Sequence, residues 1–173
     1  MNNMLSSLKE ILEKLIAHFK QTKITQPIIV EEKQVEQEKQ IMSKRLISDE
    51  VLGAMTIYQE ARSESVAGRI AVGEVIRNRV KRGTWGNSVA DVVLSPYQFS
   101  GWNTKDANRV ITMKLMDDDP LYLECLDAWK KSETTNYASK AMYYFNPKVV
   151  ATPSWALGKV PVVKIGNHNF YIL

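Results

Sequence analysis

Only one cysteine, Cys125, stands in the chain. No internal disulfide can form, and a multi-cysteine zinc site is excluded. Histidine is almost as scarce. His18 and His168 are the only two, too few for a histidine-rich metal site, so no metal is expected. No run of about 18 apolar residues occurs, so no segment spans a membrane by itself. The opening stretch, MNNMLSSLKEILEKLIAHFK, is interrupted by Lys9, Glu10, Glu13 and Lys14. It lacks the unbroken apolar region and small-residue cleavage site of a signal peptide. The expectation is a chain made in the cytoplasm that reaches any outer target by another route. P-loop, dinucleotide-binding, HEXXH and GXSXG patterns are all missing, so no cofactor is expected. There are no internal repeats.

What is present is the composition of a globular protein. The 173 residues are 45% apolar, enough for one domain of ordinary size with an extension. The net charge of +4 is modest but uneven. Residues 140–173 hold four lysines and no acid, and residues 65–82 hold five basic side chains against Glu74 alone. Two such regions suit an anionic partner, a cell envelope or a nucleic acid. Plain solubilising charge accounts for them equally well.

Leu5, Leu8, Ile11, Leu12, Leu15, Ile16 and Phe19 recur at helical spacing. They predict an amphipathic helix over 1–20. Its polar face mixes both charge signs, which favours packing or self-association over a membrane surface. Residues 21–45 turn polar, rich in Gln, Glu and Lys and broken by Pro27, and read as a linker. The main domain is expected over 46–173.

In that domain Ser48 is placed to cap a helix with Asp49 and Glu50 in its first turn, ending near Ala61. Ser65 caps a second, VAGRIAVGEVIRNRVKR, stopped by Gly83. Ser88 caps VADVVL, which ends before Pro96. Asp119–Pro120 opens PLYLECLDAWKKS. The chain then changes character. AMYYF reads as a short strand, and VPVVKI and HNFYIL flank Gly166–Asn167, a hairpin signal. Helices followed by a small antiparallel sheet make the class α+β.

Glu60 falls at the C-terminal end of its helix. The macrodipole disfavours negative charge there, so partial burial would favour the protonated acid. Such a group can donate a proton near neutral pH. From spacing alone the default is an exposed glutamate paired with Arg62 or Arg69. Glu64 follows four residues later, across a break at Ser63–Ser65, and reads as a solvated loop carboxylate. Glu74 has Arg77 and Asn78 at i+3 and i+4, so a surface ion pair is its default. Asp117, Asp118 and Asp119 lack calcium-loop spacing and read as a helix N-terminal cluster. SPYQFSGWNT joins Tyr97, Phe99 and Trp102 to Gln98, Ser100 and Asn103, and NPKVVATPSW repeats the mixture. Aromatic faces beside amides and hydroxyls suit sugar rings, and equally suit a packed loop. His168 is a proton carrier or, more commonly, a hydrogen-bonded structural imidazole. Cys125, near Leu121 and Trp129, reads as core.

YQEARSESVAGRIAVGEVIRNRV, SPYQFSGWN, AMYYFNP with TPSW, and KIGNHNFYI lie in this order along the chain. Together they resemble the spore cortex-lytic family of cell wall hydrolases (SleB/CwlJ type), across about Leu52 to Ile172. Ser63 departs from the pattern, standing where the family usually has glycine. The resemblance implies a lysozyme-like, transglycosylase-like helical domain with a small antiparallel sheet, acting on peptidoglycan. It implies that Glu60 is the catalytic acid, cleaving the MurNAc–GlcNAc bond and leaving a 1,6-anhydro end. Gln98, Ser100, Trp102, Tyr144, Asn146 and Trp155 become substrate-binding candidates, with Trp102 and Trp155 either sugar platforms or core. Glu64 and His168 become supporting candidates, and Glu64 the only close second carboxylate for a hydrolytic muramidase.

With no signal peptide in view, the expected setting is phage-type host lysis, the chain reaching the wall after release. The basic regions and N-terminal helix would then meet an anionic envelope. A spore cortex-lytic enzyme and a non-catalytic wall-binding module are the alternatives. Nucleic acid is not expected as a partner. Arg69, Arg77, Arg79, Lys81 and Arg82 do not share one helical face, and no nucleic-acid fold signature is visible.

Overall fold

The computed structural model describes residues 48–173. The helix expected at 1–20 and the linker at 21–45 lie outside the described residues. Five α-helices precede a three-stranded sheet among those residues: α1 (Asp49–Ala61), α2 (Val66–Arg82), α3 (Val89–Leu94), α4 (Ala107–Met113), α5 (Pro120–Lys131), β1 (Tyr143–Phe145), β2 (Val163–Ile165) and β3 (His168–Tyr171). The α+β class expected from the sequence holds.

α1 is the central helix. Leu52 through Gln59 are all buried, because α2, α3, α4 and α5 all pack on it. Leu52, Met55 and Ile57 are fully enclosed, each contributing about 1.5–3 kcal/mol of apolar burial. The Thr56 hydroxyl satisfies itself by donating to Leu52 O at 2.8 Å. Ser48 occupies the N-cap, but its side chain makes no capping bond; the acids of the first turn remain to complement the dipole.

The other caps follow the local sequence. Ser65 Oγ accepts from Gly68 N, and Gly83 closes α2 at φ 74°. Ser88 and Asp91 form a reciprocal capping box on α3. Asp119 accepts from Tyr122 N and Pro120 opens α5. α4, capped by Asp106, was not expected. Its Val110 and Ile111 are exposed, so it has no apolar stripe to read. The 3-10 turns Ser100–Trp102 and Ser154–Ala156 were likewise unforeseen.

Strands run in the order β1-β3-β2, both pairs antiparallel, with Tyr144 opposite Phe170 and Ile165 opposite His168. Gly166, at φ 57°, makes the tight β2–β3 turn that its Gly-Asn sequence predicts. The sheet rests on α2 through Phe170, packed with Ala71 and Val75.

One expectation is corrected by packing. Glu74 is no surface ion pair. It is only 4% exposed and accepts from Thr135 Oγ1 (2.6 Å), Tyr137 N (2.9 Å) and Ala138 N (2.6 Å). Arg77 turns instead to Ser132 Oγ and lies 4.0 Å over the Trp129 ring. Ser63 is not among the residues with positive φ, so the turn has no need of the glycine it lacks.

Candidate active site

Glu60 is a half-buried residue in the last turn of α1. Tyr144 on β1 reaches across from the sheet, and its hydroxyl donates to Glu60 Oε2 at 2.9 Å. Burial raises the Glu60 pKa; the Tyr144 bond and the Arg79 charge lower it, and Asp106 raises it again. The net shift is upward, toward a carboxyl that keeps its proton above the usual range. Tyr144 is pushed up as well, by burial first and then by the Glu60 charge and hydrogen bond. It therefore stays a neutral donor.

The structure brings Arg79 into this site, a residue read from the sequence only as surface charge. It is 6% exposed. Its Nε donates to Met142 O at 2.7 Å and its Nη1 to Gln98 Oε1 at 3.2 Å. The guanidinium also lies over the rings of Trp85, Phe99 and Tyr143, a use that suits its weak hydration. A signal for it existed. Val72, Val75, Ile76 and Arg79 fall at i, i+3, i+4 and i+7, which puts Arg79 on the buried stripe of α2. With Arg69 buried too, bonded to Glu64 O and Glu124, and Arg77 held by Ser132, three of the five α2 cations serve the fold. Lys81 and Arg82, at the end of α2, are exposed.

Asp106 is the other residue missed. It caps α4 through Asn108 N at 2.8 Å and lies near enough for its charge to act on Glu60. The sequence does not mark it, because the helix it caps was itself not expected. The Ser100–Trp102 turn links the two. Gln59 Nε2 donates to Gly101 O at 3.1 Å, and Arg109 of α4 donates to Trp102 O at 3.2 Å.

The remaining candidates divide. Gln98 is half-buried, its amide oxygen held by Arg79, and Ser100 is exposed at the start of the 3-10 turn. Trp102 is core and not a sugar platform: it is 9% exposed and its indole N–H donates to Thr56 Oγ1 at 2.9 Å. Its ring is needed to fill space beside α1. Trp155 is half-buried in a cluster with Tyr143, Phe145 and Tyr171, so its ring is largely occupied by other rings. Asn146 Oδ1 accepts from Lys148 N and closes the turn after β1.

Glu64 corrects the expectation of a solvated carboxylate. It is 7% exposed, and both oxygens accept from Asn167 of the β2–β3 turn: Oε2 from the backbone N–H at 3.0 Å, Oε1 from Nδ2 at 2.8 Å. Burial works to raise its pKa. The two Asn167 bonds, with His168 and Lys148, outweigh that and hold it below the usual range. His168 is buried, and its ring meets Tyr144 edge-on with centroids 5.1 Å apart. Burial lowers its pKa against the Glu64 charge, so it is neutral at neutral pH. Cys125 is fully buried on α5, its thiol pushed up to about 12 by burial, and is core as expected. Among the described residues no group of His, Cys, Asp and Glu is arranged to hold a metal.

Comparison with known proteins agrees with this architecture. Residues 63–171 match the family model described as Cell Wall Hydrolase; Glu60 stands just before the matched span. The spore cortex-lytic enzyme of Bacillus subtilis (strain 168) is 34% identical over 118 residues, 68% of this chain and 35% of the relative. That of Bacillus cereus is 31% identical over 123 residues, 71% of this chain and 44% of the relative. The chain thus spans less than half the length of these relatives. Two solved structures share the fold. The catalytic domain of the Bacillus cereus SleB protein is 32% identical, with a TM-score of 0.56 over 70% of this chain and 88% of that one. The catalytic domain of the germination-specific lytic transglycosylase SleB from Bacillus anthracis is 28% identical, with a TM-score of 0.57 over 70% and 92%.

Proposed function

The chain belongs to the cell wall hydrolase family, and from that premise we propose that it cleaves the MurNAc–GlcNAc bond of peptidoglycan as a lytic transglycosylase. Glu60 is the single acid/base. The observation that carries this reading is the contrast between two neighbouring carboxyls. Glu60 is half-buried, held by one neutral hydroxyl, with its pKa raised. Glu64 is committed at both oxygens to the hairpin.

The chemistry balances with one carboxyl. Protonated Glu60 gives its proton to the glycosidic oxygen as the bond from MurNAc C1 breaks, and the leaving GlcNAc takes up that proton. The MurNAc C6 hydroxyl oxygen then bonds to C1, and its proton passes to the Glu60 carboxylate. The acid is restored, no water is consumed, and a 1,6-anhydro end is left. Tyr144 holds the carboxylate between the two steps. Gln98, fixed by Arg79, and exposed Ser100 line the adjoining wall and bind the sugar.

A hydrolytic muramidase is the second reading, since such an enzyme often uses a second carboxylate to steady the cation or activate water. Asp106, whose charge acts on Glu60, favours it more than Glu64 does. Mass spectrometry of purified peptidoglycan digested by wild type and by Glu60→Gln separates the two. Anhydro-muropeptides from wild type alone support the transglycosylase. Reducing ends from wild type, lost in Asp106→Asn, support the muramidase. Binding without products from wild type would mean a wall-binding module. Equal products from wild type and Glu60→Gln would mean that another acid acts.

The curated relatives named above are spore cortex-lytic enzymes, so cortex peptidoglycan is the first substrate to try. The phage-lysis setting gains no support from them. A chain truncated at Arg45 that lysed intact cells as well as the full chain would remove any role for the N-terminal helix in reaching the wall.

A further inference from the structure

Three segments distant in sequence meet at one asparagine. Asn167 gives its backbone N–H and its Nδ2 to the two oxygens of Glu64, in the break between α1 and α2. Its Oδ1 accepts from Lys148 Nζ at 2.9 Å, in the turn after β1. Each end of the amide thus meets an opposite partner, a carboxylate on the nitrogen and an ammonium on the oxygen. A flipped amide would face oxygen to oxygen and nitrogen to nitrogen, so the orientation is determined. The approach is close enough that a Cβ on Gly166 would overlap Glu64 Oε2.

Each arm of this arrangement leads to Tyr144. Immediately after Asn167, β3 begins with His168, whose ring packs edge-on against Tyr144. Two residues further, Phe170 pairs with Tyr144 across the sheet, their rings 5.6 Å apart. From the other side, Lys148 N donates to Asn146 Oδ1, and Asn146 directly follows β1. Tyr144 is therefore bracketed by the strand beside it and by the turn beyond it. Both are tied to Glu64, four residues from the carboxyl that Tyr144 touches.

We propose that Glu64, Asn167 and Lys148 form a clasp that positions Tyr144 on Glu60, with Glu64 a positioning residue that takes no part in bond breaking. This rests on the reading of Glu60 as the acid/base. The α1–α2 break carries both glutamates because one reacts and the other fixes the sheet relative to it. Without the clasp the hairpin is free to shift, and an ångström of drift at Tyr144 removes its bond to Glu60.

The test uses Glu64→Gln and Asn167→Ala in the full chain, with Tyr144→Phe and Glu60→Gln as references. The first readout is the Glu60 pKa, followed by carboxyl ¹³C NMR and assigned with Glu60→Gln. The charged or titratable groups acting on Glu60 are Tyr144, Arg79 and Asp106. Losing the Tyr144 bond raises the Glu60 pKa. Removing the Glu64 charge by itself would lower it, and Asn167→Ala changes no charge at all. The clasp predicts an upward shift in both variants, toward the Tyr144→Phe value. The second readout is turnover of soluble glycan strands. Both variants should lose about tenfold or more in kcat with KM little changed, and the double variant should be no worse than either alone. An unmoved Glu60 pKa in both variants would overturn the clasp. So would loss of turnover to the Glu60→Gln level in Glu64→Gln with Asn167→Ala at wild-type rate, which would make Glu64 a reacting group. A wild type without products would sink the proposed function but not the clasp, which the NMR readout still decides.

Discussion

The Tyr144 hydroxyl donates to Glu60 Oε2 at 2.9 Å, joining residues 84 positions apart in the chain. This bond opposes the burial that raises Glu60. It lowers the proton affinity of a carboxyl that would otherwise hold its proton more tightly. Asp106 pulls the other way.

Opposite pH shifts follow for two conservative changes. Glu60 acts as an acid only while protonated, so activity falls as pH rises through its pKa. Tyr144→Phe removes a bond that favours the charged form, and should move that alkaline limb of kcat/KM to higher pH. Asp106→Asn keeps a helix cap but removes a negative charge, and should move the limb to lower pH. Profiles on soluble glycan strands check both; shifts of the same sign would contradict the assignment.

Glu60→Gln should be inactive yet more stable at alkaline pH. The general acid contributes about 10²- to 10⁴-fold, so turnover should fall at least that far. The folded pKa lies above the unfolded value of 4.5. The folded protein therefore holds its proton more tightly, and wild type loses stability as pH rises through the window between the two values. The glutamine variant has no such loss. Its melting temperature should exceed that of wild type above the window, and the gap should close as pH falls below 4.5.

Glu74→Ala should cost about 3 kcal/mol. It strands the N–H groups of Tyr137 and Ala138 and the Thr135 hydroxyl, all bonded to one buried carboxylate. Urea unfolding should show a lower midpoint with an unchanged m value. A cost within about 0.5 kcal/mol, as expected at an ordinary surface site, would mean the carboxylate does not organise that loop.

Tyr97→Gly should stabilise the fold. Tyr97 sits at φ 66° with its side chain 95% exposed, so the ring contributes no packing. Left-handed backbone costs an ordinary residue about 1–2 kcal/mol, and glycine gives back about 0.5–1 in unfolded-state entropy. The net gain is about 0.5–1 kcal/mol. Tyr97→Ala, which keeps the strain, should stay near wild type in the same denaturation series.

Local chemistry was legible and long-range partnership was not. Ser65, Gly83, Ser88 and Asp119 mark helix ends because a cap is made by residues within a few positions of it. The Gly166–Asn167 turn is legible for the same reason. α4 escaped because its Val110 and Ile111 face solvent and leave no apolar stripe. Trp102 stays open between sugar platform and core in the sequence because an aromatic in a polar loop looks alike whether it meets a ligand or Thr56.

By itself the sequence determined where four of the five described helices and the hairpin lie, that Glu60 ends a helix, and which ordered motifs mark the family. Only the tertiary structure decided what each charge does. Glu64 meets Asn167 across 103 positions, Arg79 meets Met142 across 63, and Glu74 meets Ala138 across 64. A carboxyl becomes an acid, a clasp or a loop organiser according to the donors and the burial around it. Those are set by chain segments brought together in folding; spacing can put a residue such as Arg79 on a buried stripe, but it names none of the partners.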